Sequence, residues 1–166
     1  MILEIKKFKD PILRKKSEEV KEITDEIKKL TEDMKETMDR NQGVGLAAPQ
    51  VGINKRIIVI NPELANSDVF ALINPKITKK SKETETEEEG CLCFPGLFLK
   101  IKRAKEIEIE VLNINGEKIK IKAQGLFARV LQHEIDHLDG ILFIDRLGFW
   151  QRWKIRKKLS RESKDV

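Results

Sequence analysis

Leu131-Gln132-His133-Glu134-Ile135-Asp136-His137-Leu138-Asp139-Gly140 contains the pattern His-Glu-x-x-His, and the fold is read outward from it. Residues four apart on a helix lie one turn above each other on the same face, so His133 and His137 can hold one metal ion. The carboxylate of Glu134 beside them can act as a base towards metal-bound water. Such a short pattern also arises by chance on solvated helices. The chain has only two histidines, however, and both are here.

The two cysteines point the same way. Cys91 and Cys93 flank Leu92 in Glu89-Gly90-Cys91-Leu92-Cys93-Phe94-Pro95-Gly96. A structural disulfide across one intervening residue is geometrically poor, and a free cysteine is commonly a small buried hydrophobe. In an extended segment Cys91 and Cys93 face opposite sides, so at most one looks towards the histidines. Two histidines and one cysteine make three protein ligands, and the fourth position is left for water.

Composition bounds the rest. A chain of 166 residues is read as one domain, residues 1–166, with a core large enough to dispense with disulfide staples. The 33 basic and 28 acidic residues are interspersed, which predicts a mixed, soluble surface. The surplus of +5 is compatible with an anionic partner without naming one. No apolar run approaches membrane-span length and charges begin at Glu4, so neither a signal peptide nor a membrane span is expected. The expected location is cytoplasmic, or its organellar or phage-encoded equivalent.

Along the chain, Asp10-Pro11 is placed to open a short helix. Ile27, Leu30, Met34 and Met38 recur at helical spacing behind Thr24 or Asp25 as N-cap, predicting an amphipathic helix to about Arg40. Asn41 to Gly52 reads as a glycine-rich loop lining a cleft, its Gly43 and Gly45 lacking the third glycine of a nucleotide-binding turn. Ile57 to Ile60 and Val69 to Ile73 read as strands, with Asn74-Pro75 as a break between strands. Lys79 to Glu89 is an exposed strand or loop leading to Cys91. Ile107, Ile109 and Val111 alternate with glutamates, and Ile119 and Ile121 with lysines, predicting a hairpin about Asn115-Gly116. The metal helix begins near Gln124-Gly125, with Leu126, Val130, His133 and His137 close to one face and Asp139-Gly140 as its stop. Arg152 to Lys164 reads as a basic final helix, either docked through Trp153, Ile155 and Leu159 or contacting RNA.

Three of these stretches together resemble the peptide deformylase family. Gly43-Val44-Gly45-Leu46-Ala47-Ala48-Pro49-Gln50 is similar to its glycine-alanine motif, Glu89-Gly90-Cys91-Leu92 to its cysteine motif, and Gln132 to Gly140 to its metal helix. Their order and spacing run through nearly the whole chain. The departure is Cys93, where the family usually carries serine, which leaves the role of that position open.

The resemblance implies removal of the N-formyl group from the initiator methionine of new polypeptides, with release of formate. It makes Cys91, His133 and His137 the ligands of one divalent metal, iron(II) by preference, with zinc, nickel or cobalt fitting the same donors. It makes Glu134 the general base and acid, and Gln50 and the backbone N–H of Leu92 the oxyanion donors. Val44, Gly45, Leu126, Arg129 and Val130 fall on the substrate side, Arg129 either at a pocket mouth or as a solvated surface residue. The formylated peptide is expected to run antiparallel to an exposed strand edge. The implied partners are N-formylmethionyl nascent peptides and, through the basic tail, the ribosome; no membrane is implied.

Two other readings compete. A metal protease would need a third ligand after the helix, where no histidine follows His137 and only Asp139 and Asp145 are at hand. A silent RNA-binding relative would not need Glu134, Gln50 and all three ligands intact. The expected fold is α+β, with small antiparallel sheets wrapped around the helix from Gly125 to Asp139 and a C-terminal helix.

Overall fold

The computed structural model describes residues 1–162. Asp10 caps a short 3-10 turn at Pro11–Arg14 by accepting from the Ile12 N–H. Thr24 likewise caps α1 (Asp25–Arg40), accepting from the Ile27 N–H. The chain then forms β1 (Gly45–Ala47), β2 (Ile57–Ile60), α2 (Pro62–Ala65), β3 (Ala71–Lys80), β4 (Thr84–Cys91) and β5 (Phe94–Ala104). It ends in β6 (Glu106–Leu112), β7 (Lys118–Gln124), α3 (Gly125–Leu138) and α4 (Phe149–Glu162).

Five strands form one antiparallel sheet in the order β1-β2-β3-β6-β7, and β4 and β5 form a second, two-stranded ribbon. The continuous apolar run of β2 follows from burial on both faces. Ile58 and Ile60 pack with Leu131, Ile135 and Leu138 of α3, while Ile57 and Val59 pack with Met34 and Met38 of α1. A third cluster joins Phe94 and Ile101 of β5 to Leu13, Phe143 and Leu159. Helix α3 thus has neighbours in both sheets, and 11 of its 14 residues are buried. The architecture is α+β, as expected.

Several local expectations change. The segment 41–52 is not all loop: β1 pairs with β2, and Ala48–Val51 forms a 3-10 turn closed by Gly52 at φ 84°. Asn74-Pro75 does not end a strand. The register shifts between Ile73 and Lys76, Asn74 takes φ 51°, and its side chain bonds both the N–H and C=O of Val20. A bulge therefore absorbs the proline that a regular ladder would reject. The long strand β5 went unread because charged residues and Gly96 interrupt its apolar positions.

The predicted hairpin is present, with Glu108 opposite Lys122 and Glu110 opposite Lys120. The C-terminal helix docks through Ile155 and Leu159, but Trp153 is half exposed and carries Lys157 over its ring, so it is not a docking residue. The end of the predicted helix, Ser163 and Lys164, lies outside the described residues. Among the described residues, no helix is long and apolar enough to cross a membrane.

Candidate metal centre

Helix α3 places His133, Glu134 and His137 in its buried stretch, and the β4–β5 turn brings Cys91 over them. One ligand atom from each of Cys91, His133 and His137 lies within 4.8 Å of the others. The Cys91 Sγ is 3.4 Å from His137 Nε2, and the two imidazole centroids are 5.0 Å apart. Phe143 packs edge-on against His133.

The ring of His133 is oriented by a buried carboxylate. Its Nδ1 lies 2.8 Å from Glu89 Oε1. Burial pushes the Glu89 carboxyl up, but hydrogen bonds from His133 and Arg103 outweigh it and hold the pKa at about 2. Glu89 is therefore an anion that accepts from the Nδ1–H, which leaves Nε2 as the ring nitrogen available to a cation. Burial drives the His137 pKa well below the ordinary value, which keeps that imidazole neutral.

A charge network surrounds this pair. Arg103 donates to Glu89 through Nε (2.9 Å) and Nη2 (3.0 Å), and to Asp136 through Nη1 (2.6 Å). Arg146 also donates to Asp136, through Nη2 at 2.6 Å and Nε at 3.0 Å. Arg129 donates to Glu89 (2.6 Å) and to the carbonyls of Ile101 and Glu85. It is neither a solvated surface residue nor free at a pocket mouth; its head braces the ribbon from inside. Glu89 and Asp136 stood in the quoted motifs without a role. Arg103, deep in a strand read only in three dimensions, left no local signal.

Glu134 has no such partners. Burial raises its pKa to about 7, and its Oε2 is enclosed without a hydrogen-bond partner among the described residues. Gly45 of β1 presses on it: a Cβ there would stand 2.8 Å from Val130 Cγ1 and 2.9 Å from Glu134 Oε1. Gln50 is buried with its carboxamide clamped. Its Oε1 accepts from the Ala47 N–H at 2.7 Å, which turns Nε2 towards Cys91 Sγ (3.7 Å) and Cys93 Sγ (3.5 Å).

That last pair corrects the extended-chain expectation for the cysteines. Leu92 and Cys93 form the tight turn between β4 and β5, so both thiols reach the same amide instead of facing opposite sides. Cys93 is the largest influence raising the Cys91 pKa well above the usual thiol value, followed by burial. On the substrate side, Val130 is buried beside Gly45, whereas Val44 and Leu126 are exposed. Size does not mark the site: a groove of about 1180 Å³ is lined by Lys16, Arg56, Lys76 and Asp139 and contains no cysteine or histidine.

One cysteine sulfur and two imidazoles would fit one divalent cation, and a buried carboxylate stands beside them. Such a donor set suits the centre of a metal-dependent hydrolase. The family model described as Polypeptide deformylase matches residues 2–153. The peptide deformylase of Thermodesulfovibrio yellowstonii is 49% identical over 159 residues, 95% of this chain and 96% of that one. The crystal structure of peptide deformylase from Thermotoga maritima superposes with a TM-score of 0.84 at 46% identity, covering 89% of this chain and 99% of that one. That of Ehrlichia chaffeensis in complex with actinonin gives 0.87 at 43% identity, with 97% of each chain covered. The chain belongs to the peptide deformylase family, and it is a hydrolase.

Proposed function

We propose that this chain removes the N-formyl group from the initiator methionine of nascent polypeptides by hydrolysis, and that Cys91, His133 and His137 would hold one divalent metal, iron(II) by preference. It acts as one catalytic domain over residues 1–166, in the cytoplasm. The observation that carries the mechanism is the enclosed, unpartnered Oε2 of Glu134 beside the three converging ligand atoms. A divalent cation there would supply Lewis acidity, lowering the pKa of water towards about 7. The thiolate favours iron(II), while zinc, nickel and cobalt fit the same donors.

The chain's own groups do the remaining work. Glu134 takes a proton from the attacking water at its free oxygen and hands it to the departing amine nitrogen. Gln50 donates from Nε2 to the formyl oxygen as it gains charge, with the Ala47 bond preventing rotation of the amide. The Leu92 N–H is the second donor, and loss of one such donor costs roughly 3–4 kcal/mol in the transition state.

Among the described residues strand β1 has a partner on one side only, so the peptide adds along its free edge by backbone hydrogen bonds. Gly45 allows close approach, Val130 and the His133 ring form the inner wall of the methionine pocket, and Val44 and Leu126 form its rim. Arg129 supports this wall through Glu89. The exposed Lys154, Lys157, Lys158 and Arg161 of α4 offer a basic face to ribosomal RNA.

Formate release from a formyl-Met tripeptide, by protein purified anaerobically with its metal quantified, tests this reading. Turnover should scale with bound metal, and Glu134→Ala should keep the metal while losing about 10²–10⁴-fold in kcat. Turnover of that variant within tenfold of wild type (about 1.4 kcal/mol) would remove Glu134 from its assigned role.

A further inference from the structure

The second thiol of the β4–β5 turn is used by no step above. Cys93 is fully buried, whereas Cys91 is partly exposed. The Nε2 of Gln50 reaches both sulfurs, at 3.7 Å and 3.5 Å. A serine at position 93 would hold the same turn and accept the same hydrogen bond. Only cysteine adds a sulfur able to bond to its neighbour.

We propose that Cys91 and Cys93 form a reversible disulfide when a hydroperoxide enters the site, and that this bridge releases the metal and closes the centre to further oxidation. The order of events follows from exposure. The Cys91 sulfur, which holding a metal would keep as the thiolate, attacks the peroxide O–O bond; it takes one oxygen as the sulfenic acid, and the other leaves as hydroxide, or as alkoxide from an alkyl hydroperoxide. The Cys93 sulfur then attacks the Cys91 sulfur, an S–S bond forms, and the sulfenic oxygen leaves as water with the thiol proton. Two electrons pass from the sulfurs to the peroxide, and a dithiol reductant returns them.

A bridge across one residue is strained, which disqualifies it as a structural staple but suits a labile one. Strained disulfides have higher reduction potentials and reopen readily. Without Cys93, the sulfenic acid has no thiol beside it and proceeds to the irreversible sulfinic and sulfonic acids. The release of metal rests on the reading of Cys91 as a ligand, since a disulfide sulfur no longer carries thiolate charge; the bridge itself does not.

The test treats the metal-loaded full chain, and a chelator-stripped sample in parallel, with a few equivalents of hydrogen peroxide. Free thiols are then alkylated under denaturing conditions and the intact mass is measured. The expected product lacks both alkyl groups, is lighter than the untreated protein by about 2 Da before alkylation, and regains both thiols with a dithiol. Cys93→Ser should instead gain about 32 or 48 Da at Cys91 and not recover. If wild type over-oxidises to the same extent as Cys93→Ser, or keeps two alkylatable thiols in both samples, the proposal is wrong. If the bridge forms while the metal stays bound, the disulfide stands and the ligand role of Cys91 falls.

Discussion

The β6–β7 hairpin and the interior around α3 use the same residue types for different ends. On the hairpin, Lys122 and Glu108 approach to 3.6 Å and Lys120 and Glu110 to 3.9 Å, with both lysines more than four-fifths exposed. Water and salt compete for every one of these charges. Inside, Glu89 has exchanged water for bonds from Arg103, Arg129 and His133 and has become a fixed anion with a pKa of about 2. Glu134, equally buried but without such donors, holds its proton to about pH 7. Burial makes a carboxylate consequential, and its partners decide whether it stands as a fixed anion or keeps its proton towards neutral pH.

The sharpest way to break this contrast is Glu89→Gln. It leaves Arg103 and Arg129 without their anion and His133 without its orienting charge. Urea denaturation should show a loss of about 3–5 kcal/mol. A chelator competition should show metal affinity weakened about 10–100-fold. Losses no larger than those of a surface pair would erase the distinction.

Glu134→Gln in metal-stripped protein sharpens it from the other side. The folded pKa of about 7 lies above the ordinary 4.5, so the folded state keeps a proton that the unfolded state gives up. Wild-type stability from this group is therefore full below pH 4.5 and declines as pH rises through 7, by roughly 3 kcal/mol in total. The amide variant should lack that decline, and the urea midpoints of the two proteins should diverge between about pH 5 and 8. Parallel profiles would place the Glu134 proton elsewhere.

The smallest effect belongs to the hairpin. Replacing Lys120 and Lys122 together by alanine should change stability by less than about 1 kcal/mol, and the difference should shrink in 1 M salt.

The sequence carried the centre better than its surroundings. His133, Glu134 and His137 share one short helical stretch, so their proximity is local and period alone reveals it. The same holds for α1, whose methionines fall on one face, and for the alternating strands of the hairpin. That one of the two cysteines completes the ligand set is legible from the residues, but the choice of Cys91 and the donor role of Gln50 rest on resemblance, because 41 residues separate the two and no local pattern joins them. Arg103 and Arg146 had no signal: each meets the network only after β5 and the turn following α3 pack against that helix. The strand through Asn74-Pro75 was hidden because a bulge, specified by Asn74 and its bonds to Val20, overrides the usual meaning of proline. The thiols' shared side was hidden because a two-residue turn reverses the alternation of an extended chain.

Gly45 carries a consequence for how such chains drift over evolutionary time. Its missing side chain is what lets β1 lie against Val130 and the Glu134 carboxylate. An alanine there would change the identity of no chemically active residue, yet its one methyl would crowd Val130 and the Glu134 carboxylate and force them to shift. Among diverging copies of such a gene, loss of function need not begin at the histidines. It can begin at a position with no side chain to lose, and a count of preserved active residues would miss it.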